Sequence, residues 1–273
     1  KTQGRGGVGS KASNSRDEDF IEYIYQASMH DTLLLFSQKG RCYWLRVYEI
    51  QPGAKNSKGR ALQNLIQLDS DDRINAFVKV RGLNNKEYVN SHYLIFCTKQ
   101  GVVKRTLLEQ YSRPRTNGVN AITIREDDEV INVSLTDGKS DVIIASRNGR
   151  AVRFREGSGD LRPLGRTATG VRGMTLDEGD PTDRVVGMVC VEKNSPETLL
   201  VVSENGFGKR SYLDDRDENG NIIMDEDGNP ATLYRITKRG AKGVRTLNVT
   251  EKTGKLVAIQ AVTDDNDLMI INT

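Results

Sequence analysis

The residues that recur at fixed spacing in this chain are basic, and the chemistry open to them is neutralisation of phosphate. Four residues past a glycine stand Trp44, Arg105, Arg153 and Arg210, and two of these copies carry Lys104 and Lys209 one residue earlier. Arg41 and Arg150 follow their glycines directly. Around a second glycine come Lys58 and Arg60, then Arg113 and Arg115, then Arg166 and Arg172. The last copy has Lys238, Arg239, Lys242 and Arg245 there. Equivalent positions of a cyclic repeat lie at equivalent radius and height, so these cations are expected to ring one edge of a disk. A belt of that kind holds a bent phosphate backbone, with strong salt dependence and little reading of base sequence. The competing reading is that Lys and Arg at hairpin ends discourage edge pairing. The recurrence of the whole set favours the belt.

The amino-terminal segment Gln3-Gly4-Arg5-Gly6-Gly7-Val8-Gly9-Ser10-Lys11 is basic and nearly free of bulk. Its glycines allow close backbone approach to an anion, and Lys1, Arg5 and Lys11 supply charge. A flexible linker is the alternative. It is neither a phosphate loop, for want of GxxxxGK[ST], nor a dinucleotide fingerprint. Asp215, Asp217, Asn219 and Glu226 fit the spacing of an EF-hand loop, but a strand precedes them and Gly228 and Pro230 follow. The favoured reading is two turns around the short strand Ile222-Ile223-Met224, with calcium a weak candidate and no metal site expected. His30 and His92 belong to no triad or metal pattern, and no catalytic residue is expected. Cys42, Cys97 and Cys190 form no CxxC and read as inert buried thiols of a reducing cytoplasm.

What positions these residues is a repeat. Leu33–Gly40, Leu94–Gly101, Val142–Gly149 and Leu199–Gly206 each run from an apolar stretch through a polar pair to a glycine, and a fifth copy opens at Asp267. The first glycines lie 61, 48 and 57 residues apart; the second ones (Gly59, Gly118, Gly170, Gly243) follow at offsets of 19, 17, 21 and 37. Short Val/Ile/Leu/Phe runs at a period near fifty predict an all-β propeller-like array of four-stranded blades, with repeats starting near 31, 92, 141, 198 and 267. No helix of normal length is convincing; the best candidate is Glu18 to Met29. The long offset of the fourth copy marks an insertion at about 214–231. Asp214–Gly228 holds seven acids against Arg216, a charge of −6. The net charge is +3, so the rest of the chain carries +9. A basic body of this kind points to a polyanion partner. No signal peptide, transit peptide or long apolar span is present. The chain begins without Met and closes inside a strand pattern, and is expected to be a piece of a longer protein.

The glycine-rich segment resembles the gyrase-A box, Gln-(Arg/Lys)-Arg-Gly-Gly-Lys-Gly. Asp19–Asp31, Gly40–Tyr48, Gly170-Val171-Arg172-Gly173 and Asn205–Arg210 are similar to segments of the same family. The chain is identified as a member of the carboxy-terminal domain family of bacterial DNA gyrase A, from a type IIA topoisomerase. The resemblance implies a box segment over 1–19 and a β-pinwheel over 20–273, whose blades exchange strands and wrap duplex DNA in support of negative supercoiling. Gln3, Arg5, Gly6, Gly7 and Gly9 carry over from the box, while Gly4 and Val8 each replace a basic residue, so the box carries two fewer positive charges, with Lys11 nearby as a candidate to compensate. The family usually has six blades, and four with the start of a fifth are expected here. The resemblance also implies a bacterial cytoplasmic, nucleoid-associated enzyme built with the remainder of the gyrase A polypeptide and with gyrase B (A2B2). Its ATP and magnesium serve other domains, and its strand-breaking residues lie elsewhere. The rival readings are the topoisomerase IV homologue, which binds DNA without strong wrapping, and a propeller that binds protein. The single Trp and six percent aromatic content speak against the latter.

Overall fold

A computed structural model describes residues 23–267, apart from 55, 56, 58, 158, 160, 194 and 229. The first repeat forms β1 (Thr32–Ser37), β2 (Arg41–Arg46) and β3 (Ile74–Val80). The second forms α1 (Lys86–Ser91), β4 (Tyr93–Thr98), β5 (Val102–Leu107), β6 (Val119–Asn120) and β7 (Val130–Thr136). The third adds β8 (Asp141–Ser146), β9 (Arg150–Arg155), β10 (Val171–Arg172) and β11 (Val185–Val191). The fourth adds β12 (Thr198–Ser203), β13 (Gly208–Tyr212), β14 (Val244–Arg245) and β15 (Leu256–Val262). The fifth copy lies outside the described residues.

Every sheet is antiparallel, and each of the first three borrows its outermost strand. Their orders are β3-β1-β2-β6, β7-β4-β5-β10 and β11-β8-β9-β14, so the fourth strand of a blade comes from the repeat that follows. The described part of the fourth sheet is β13-β12-β15. Strands β3, β7, β11 and β15 pack against one another in succession on the inner side of the array. β6, β10 and β14 therefore sit on the outer rim.

The two-residue period of a strand explains how the apolar runs are spent. Leu34 and Phe36 face Leu94 and Phe96 of the next blade; Ile95 and Cys97 face Val142 and Ile144; Ile143 and Ala145 face Leu199 and Val201. Both faces of a middle strand are covered, which is why these strands read as unbroken apolar runs. Phe36 and Phe96 meet edge to face with centroids 5.1 Å apart. Cys42 and Cys97 are buried, Cys190 is half-buried, and burial pushes all three thiols up, Cys190 to about 12.

Two local expectations are corrected. Residues 23–28 of the candidate helix lack helical structure, because the Tyr23 and Tyr25 hydroxyls donate to the Asn75 and Phe77 carbonyls and lay the segment along β3. The helix that does form, α1, is not foreshadowed by the apolar pattern. Asn85 caps it, its side chain accepting from the Glu87 and Tyr88 amides, and six residues are too few to show helical periodicity.

The second glycine is what admits the borrowed strand. A Cβ on Gly118, Gly170 or Gly243 would fall 2.8, 2.5 or 2.2 Å from the carbonyl oxygen of Cys42, Val103 or Ala151. Gly243 also has φ +75°, where an L side chain is strained. Gly243→Ala is expected to undock β14 and cost about 2 kcal/mol or more in urea denaturation. Gly206→Ala, at φ +77° but with open space around its Cβ, should cost only about 1–2 kcal/mol. Gly59 breaks the pattern: nothing lies within 4 Å of its Cβ, and among the described residues no rim strand comes between it and β3.

Candidate nucleic-acid interface

The rim is assembled from two kinds of segment. The first is the residue after each hairpin glycine, which places Arg41 and Arg150 at the start of β2 and β9. The second is the borrowed strand, where Arg172 of β10 pairs with Val102, and Arg245 of β14 pairs with Arg150. Arg41 Nη2 donates to the Asn117 carbonyl (2.6 Å), Arg150 Nη1 to that of Gly243 (3.1 Å) and Arg239 Nη1 to that of Arg172 (3.1 Å). The guanidinium groups thus lie along the rim backbone. Arg150 and Arg245 face each other across two strands, a like-charge pairing that costs stability in the absence of an anion.

The loops that climb to the rim strands are 112–118, 161–170 and 232–243. Together they hold eight basic residues and no acidic one. Arg113, Arg115, Arg162, Arg235, Lys238 and Lys242 are placed there, as are Arg166 and Arg239. Among the described residues no ion pair forms at Arg113, Arg115, Arg150, Arg162, Arg172, Lys238, Lys242 or Arg245. Arg162 and Arg235 escape the repeat-spacing argument. The acid-free stretch before each second glycine is the signal that could have found them.

Acids collect instead in the loops entering the inner strands: Asp69, Asp71 and Asp72; Glu126 to Glu129; Asp177 to Asp183. These loops cap the hairpin turns. Asp72, Asp128 and Asp183 accept the backbone N–H of Lys39, Gln100 and Asn148 at 2.9–3.2 Å. Lys39–Asp71, Lys99–Glu129 (3.3 Å), Arg147–Glu204 (2.8 Å) and Lys255–Asp180 (2.9 Å) pair in the same zone. Charge is therefore segregated, with paired charges at the turns and, among the described residues, the eight rim cations just named outside any ion pair.

Three expected belt residues lie inside instead. Lys104 is fully buried, and its ammonium donates to the carbonyls of Ala121, Gly165 (3.2 Å) and Arg166 (2.9 Å). Arg105 is buried; it donates to the Glu156 carbonyl (3.1 Å), pairs with the Glu156 carboxylate (3.6 Å) and lies 3.8 Å from the centre of the Tyr93 ring. Arg153 is buried between Asp141 (2.7 Å) and Asp214 (2.6 Å) and also donates to the Leu213 and Tyr234 carbonyls (3.2 and 3.3 Å). Burial opposes its charge, but Asp214 and Asp141 outweigh that and hold the guanidinium above its ordinary range. Trp44 fills the same repeat position and donates to the Tyr111 carbonyl (2.9 Å). In the first three repeats the position four past the hairpin glycine fastens the rim loop of the next repeat, and burial closes Arg105 and Arg153 to a phosphate.

Lys209 and Arg210 are exposed on β13, where Arg210 pairs with Asp264. Arg60 is exposed. Lys58 and the segment holding Gln3, Arg5, Gly6, Gly7, Gly9 and Lys11 lie outside the described residues.

The insertion is a small meander. Bridges Arg216↔Ile222 and Met224↔Pro230 join its limbs, and the Asp215 amide closes the neck on the Ala231 carbonyl (2.7 Å). The Asp217 carboxylate accepts from the Asn219 and Asn221 amides at 2.9 and 2.8 Å. The Asp217 carboxylate is thus turned onto its own loop. Among the described residues no group of three His, Cys, Asp or Glu side chains is placed to share a metal. His92 Nδ1 lies 2.9 Å from the Tyr88 carbonyl at the end of α1, and its ring packs on that of Tyr88.

A family model described as the DNA gyrase C-terminal domain, beta-propeller, matches residues 31–81, 92–137, 140–192, 197–215 and 230–263. Its segments follow the repeats and skip the acidic insertion. The DNA gyrase A polypeptide of Staphylococcus aureus (strain MRSA252) is 41% identical over 271 residues, covering 99% of this chain. The chain spans 28% of that relative's length. A solved DNA gyrase A C-terminal domain superposes with TM-score 0.66 at 25% identity, over 93% of this chain and 76% of the other. The fold is shared with a C-terminal domain of DNA topoisomerase IV, at TM-score 0.57 and 23% identity over 86% and 80% of the two chains.

Proposed function

The chain belongs to the DNA gyrase C-terminal domain family, and from that premise we propose that it is a non-catalytic module that binds duplex DNA on its outer rim and bends the duplex around the disk. The observation that carries this reading is the separation of charge. Acid-free loops and an unneutralised Arg150–Arg245 pair line one edge, while the charges at the turns are mostly paired. Smooth bending of 20–30 base pairs costs about 1–6 kcal/mol, and many phosphate contacts are needed to offset it. A rim that repeats its cations blade by blade spreads those contacts along the duplex without reading bases.

In the whole protein the module would serve negative supercoiling beside the rest of the gyrase A polypeptide and gyrase B in an A2B2 assembly of the bacterial cytoplasm. ATP, magnesium and strand breakage would belong to other domains. No helix of the described residues is long and apolar enough to cross a membrane.

The test is topological. The chain is bound to nicked circular DNA, the nick is ligated, the protein is stripped and the topoisomers are resolved at several salt concentrations. A linking-number shift that fades with salt is expected. Binding without a shift leaves a DNA-binding disk that does not wrap, and absence of binding at low salt overturns the reading.

The acidic meander springs from the same loop as Arg235, Lys238, Arg239 and Lys242 and stands outside the family match. Its carboxylates repel phosphate at close range. Replacing residues 216–229 by a two-residue turn is expected to tighten DNA binding about three- to tenfold at low salt, with the gain shrinking as salt is raised. Unchanged affinity in a fluorescence titration would refute this.

A further inference from the structure

We propose that Lys104 is a positioning residue of the rim, a buried clamp whose ammonium ties the borrowed segment of one blade to the basic loop of the next. The inference rests on the DNA reading above. Lys104 leaves β5 between two rim segments: Ala121, just past β6, and Gly165–Arg166, on the way to β10. Its three donors meet three backbone carbonyls, so the ammonium is saturated. The Phe96 ring lies 5.1 Å from Nζ, and the Tyr111 hydroxyl donates to the same Ala121 carbonyl (3.0 Å). Cutting this clamp frees the loop that carries Arg162 and Arg166.

A second stitch crosses the same junction. Thr123 donates through Oγ1 to the Thr167 carbonyl (2.7 Å) and through its amide to that of Ala168 (3.3 Å). The next junction repeats it, with Thr175 donating to the Gly240 and Ala241 carbonyls at 2.6 and 3.0 Å. There Val152 stands at the place of Lys104, so of these two junctions only the first holds a titratable clamp.

The charged neighbour of Lys104 is Arg166, on the loop. Cys42 of β2 and Tyr111 of the turn after β5 are the other titratable groups of this pocket, and burial keeps both neutral. No carboxylate is among its partners. Burial first, and Arg166 second, bring the lysine down to about 7. A neutral amine has two donors for three carbonyls, so the clamp weakens as pH rises through 7. With that midpoint about nine clamps in ten are charged at pH 6 and about one in ten at pH 8. The stability sign runs the other way. Folding lowers this group's proton affinity, so raising pH through 7 toward the unfolded value favours the folded state. Loss of wrapping over that interval is therefore not unfolding by this group.

The experiment measures the linking-number shift per bound chain at pH 6, 7, 8 and 9 for the wild type, Lys104→Arg and Lys104→Met. Amide-exchange protection at residues 165–168 is recorded without DNA. The wild-type shift should fall severalfold from pH 6 to pH 8, with protection falling in step. Lys104→Arg, which stays charged, should be flat with pH, and Lys104→Met should behave at pH 6 as the wild type does at pH 9. A pH-independent wild type, or Lys104→Met with wild-type wrapping and protection, overturns the proposal. If no variant wraps DNA at any pH, the functional reading fails, and the exchange profile still decides the clamp. If Lys104→Met does not fold, the wild-type and Lys104→Arg profiles decide it.

Discussion

Replacing Arg150, Arg172, Lys242 and Arg245 together by Gln weakens duplex DNA binding about a thousandfold at 0.1 M salt and lowers the salt slope by about 3 to 4, the expected result if each holds one phosphate. The four side chains sit on two adjacent blades and form no ion pair among the described residues. Their charge is not used to hold the fold. Removing it should leave thermal stability unchanged or slightly raised, because Arg150 and Arg245 repel each other across the β9–β14 ladder. Stability and affinity moving in opposite directions is the signature of a surface kept for a ligand. The discriminating measurement is a titration at several salt concentrations alongside a melting curve. A loss of affinity with an unchanged salt slope would show that these residues do not contact phosphate.

Arg153→Met is expected to destabilise the protein by about 3–5 kcal/mol in urea denaturation, because it strands the buried Asp214 carboxylate and leaves Asp141 only its 3.5 Å pairing with Arg155. Asp141 and Asp214 are each almost wholly buried and both point at the lost guanidinium. Changing all three together, Arg153→Met with Asp141→Asn and Asp214→Asn, should recover most of the loss, since a buried ion network contributes little net stability once its desolvation is counted. The single variant should also loosen the rim. Arg153 holds the Leu213 and Tyr234 carbonyls, its own carbonyl accepts the Thr237 amide (2.8 Å), and Lys238 follows directly. A Lys at this position would keep the charge but lose the fork that spans two carboxylates. If Arg153→Met is no less stable than the wild type, the network is not structural.

Arg150 and Arg153 show how far the residues alone can be read. Spacing from a hairpin glycine places both on a phosphate-binding belt. Arg150 begins β9 at the outer edge, where one side is open to solvent. Arg153 lies three residues on, and its surroundings come from residues 213, 214 and 234 of the following repeat. A cation in a strand looks the same in sequence whether water or a distant loop meets it. The same blindness covers Lys104 and Arg105. The acidic insertion is legible as turns around a short strand because its turn residues act locally: Asp217 closes its own loop within four residues.

What the residues alone determined is the array itself. The alternation of apolar side chains and the glycine of each turn depend on nearest neighbours along the chain. They specify hairpins at a period near fifty whatever surrounds them. The tertiary structure decided which cations are available. β6, β10 and β14 cross to the preceding blade, and the loops that lead to them bury one set of bases while lifting another to the rim. That choice is made by contacts between residues dozens of positions apart, and spacing within one repeat carries no record of them.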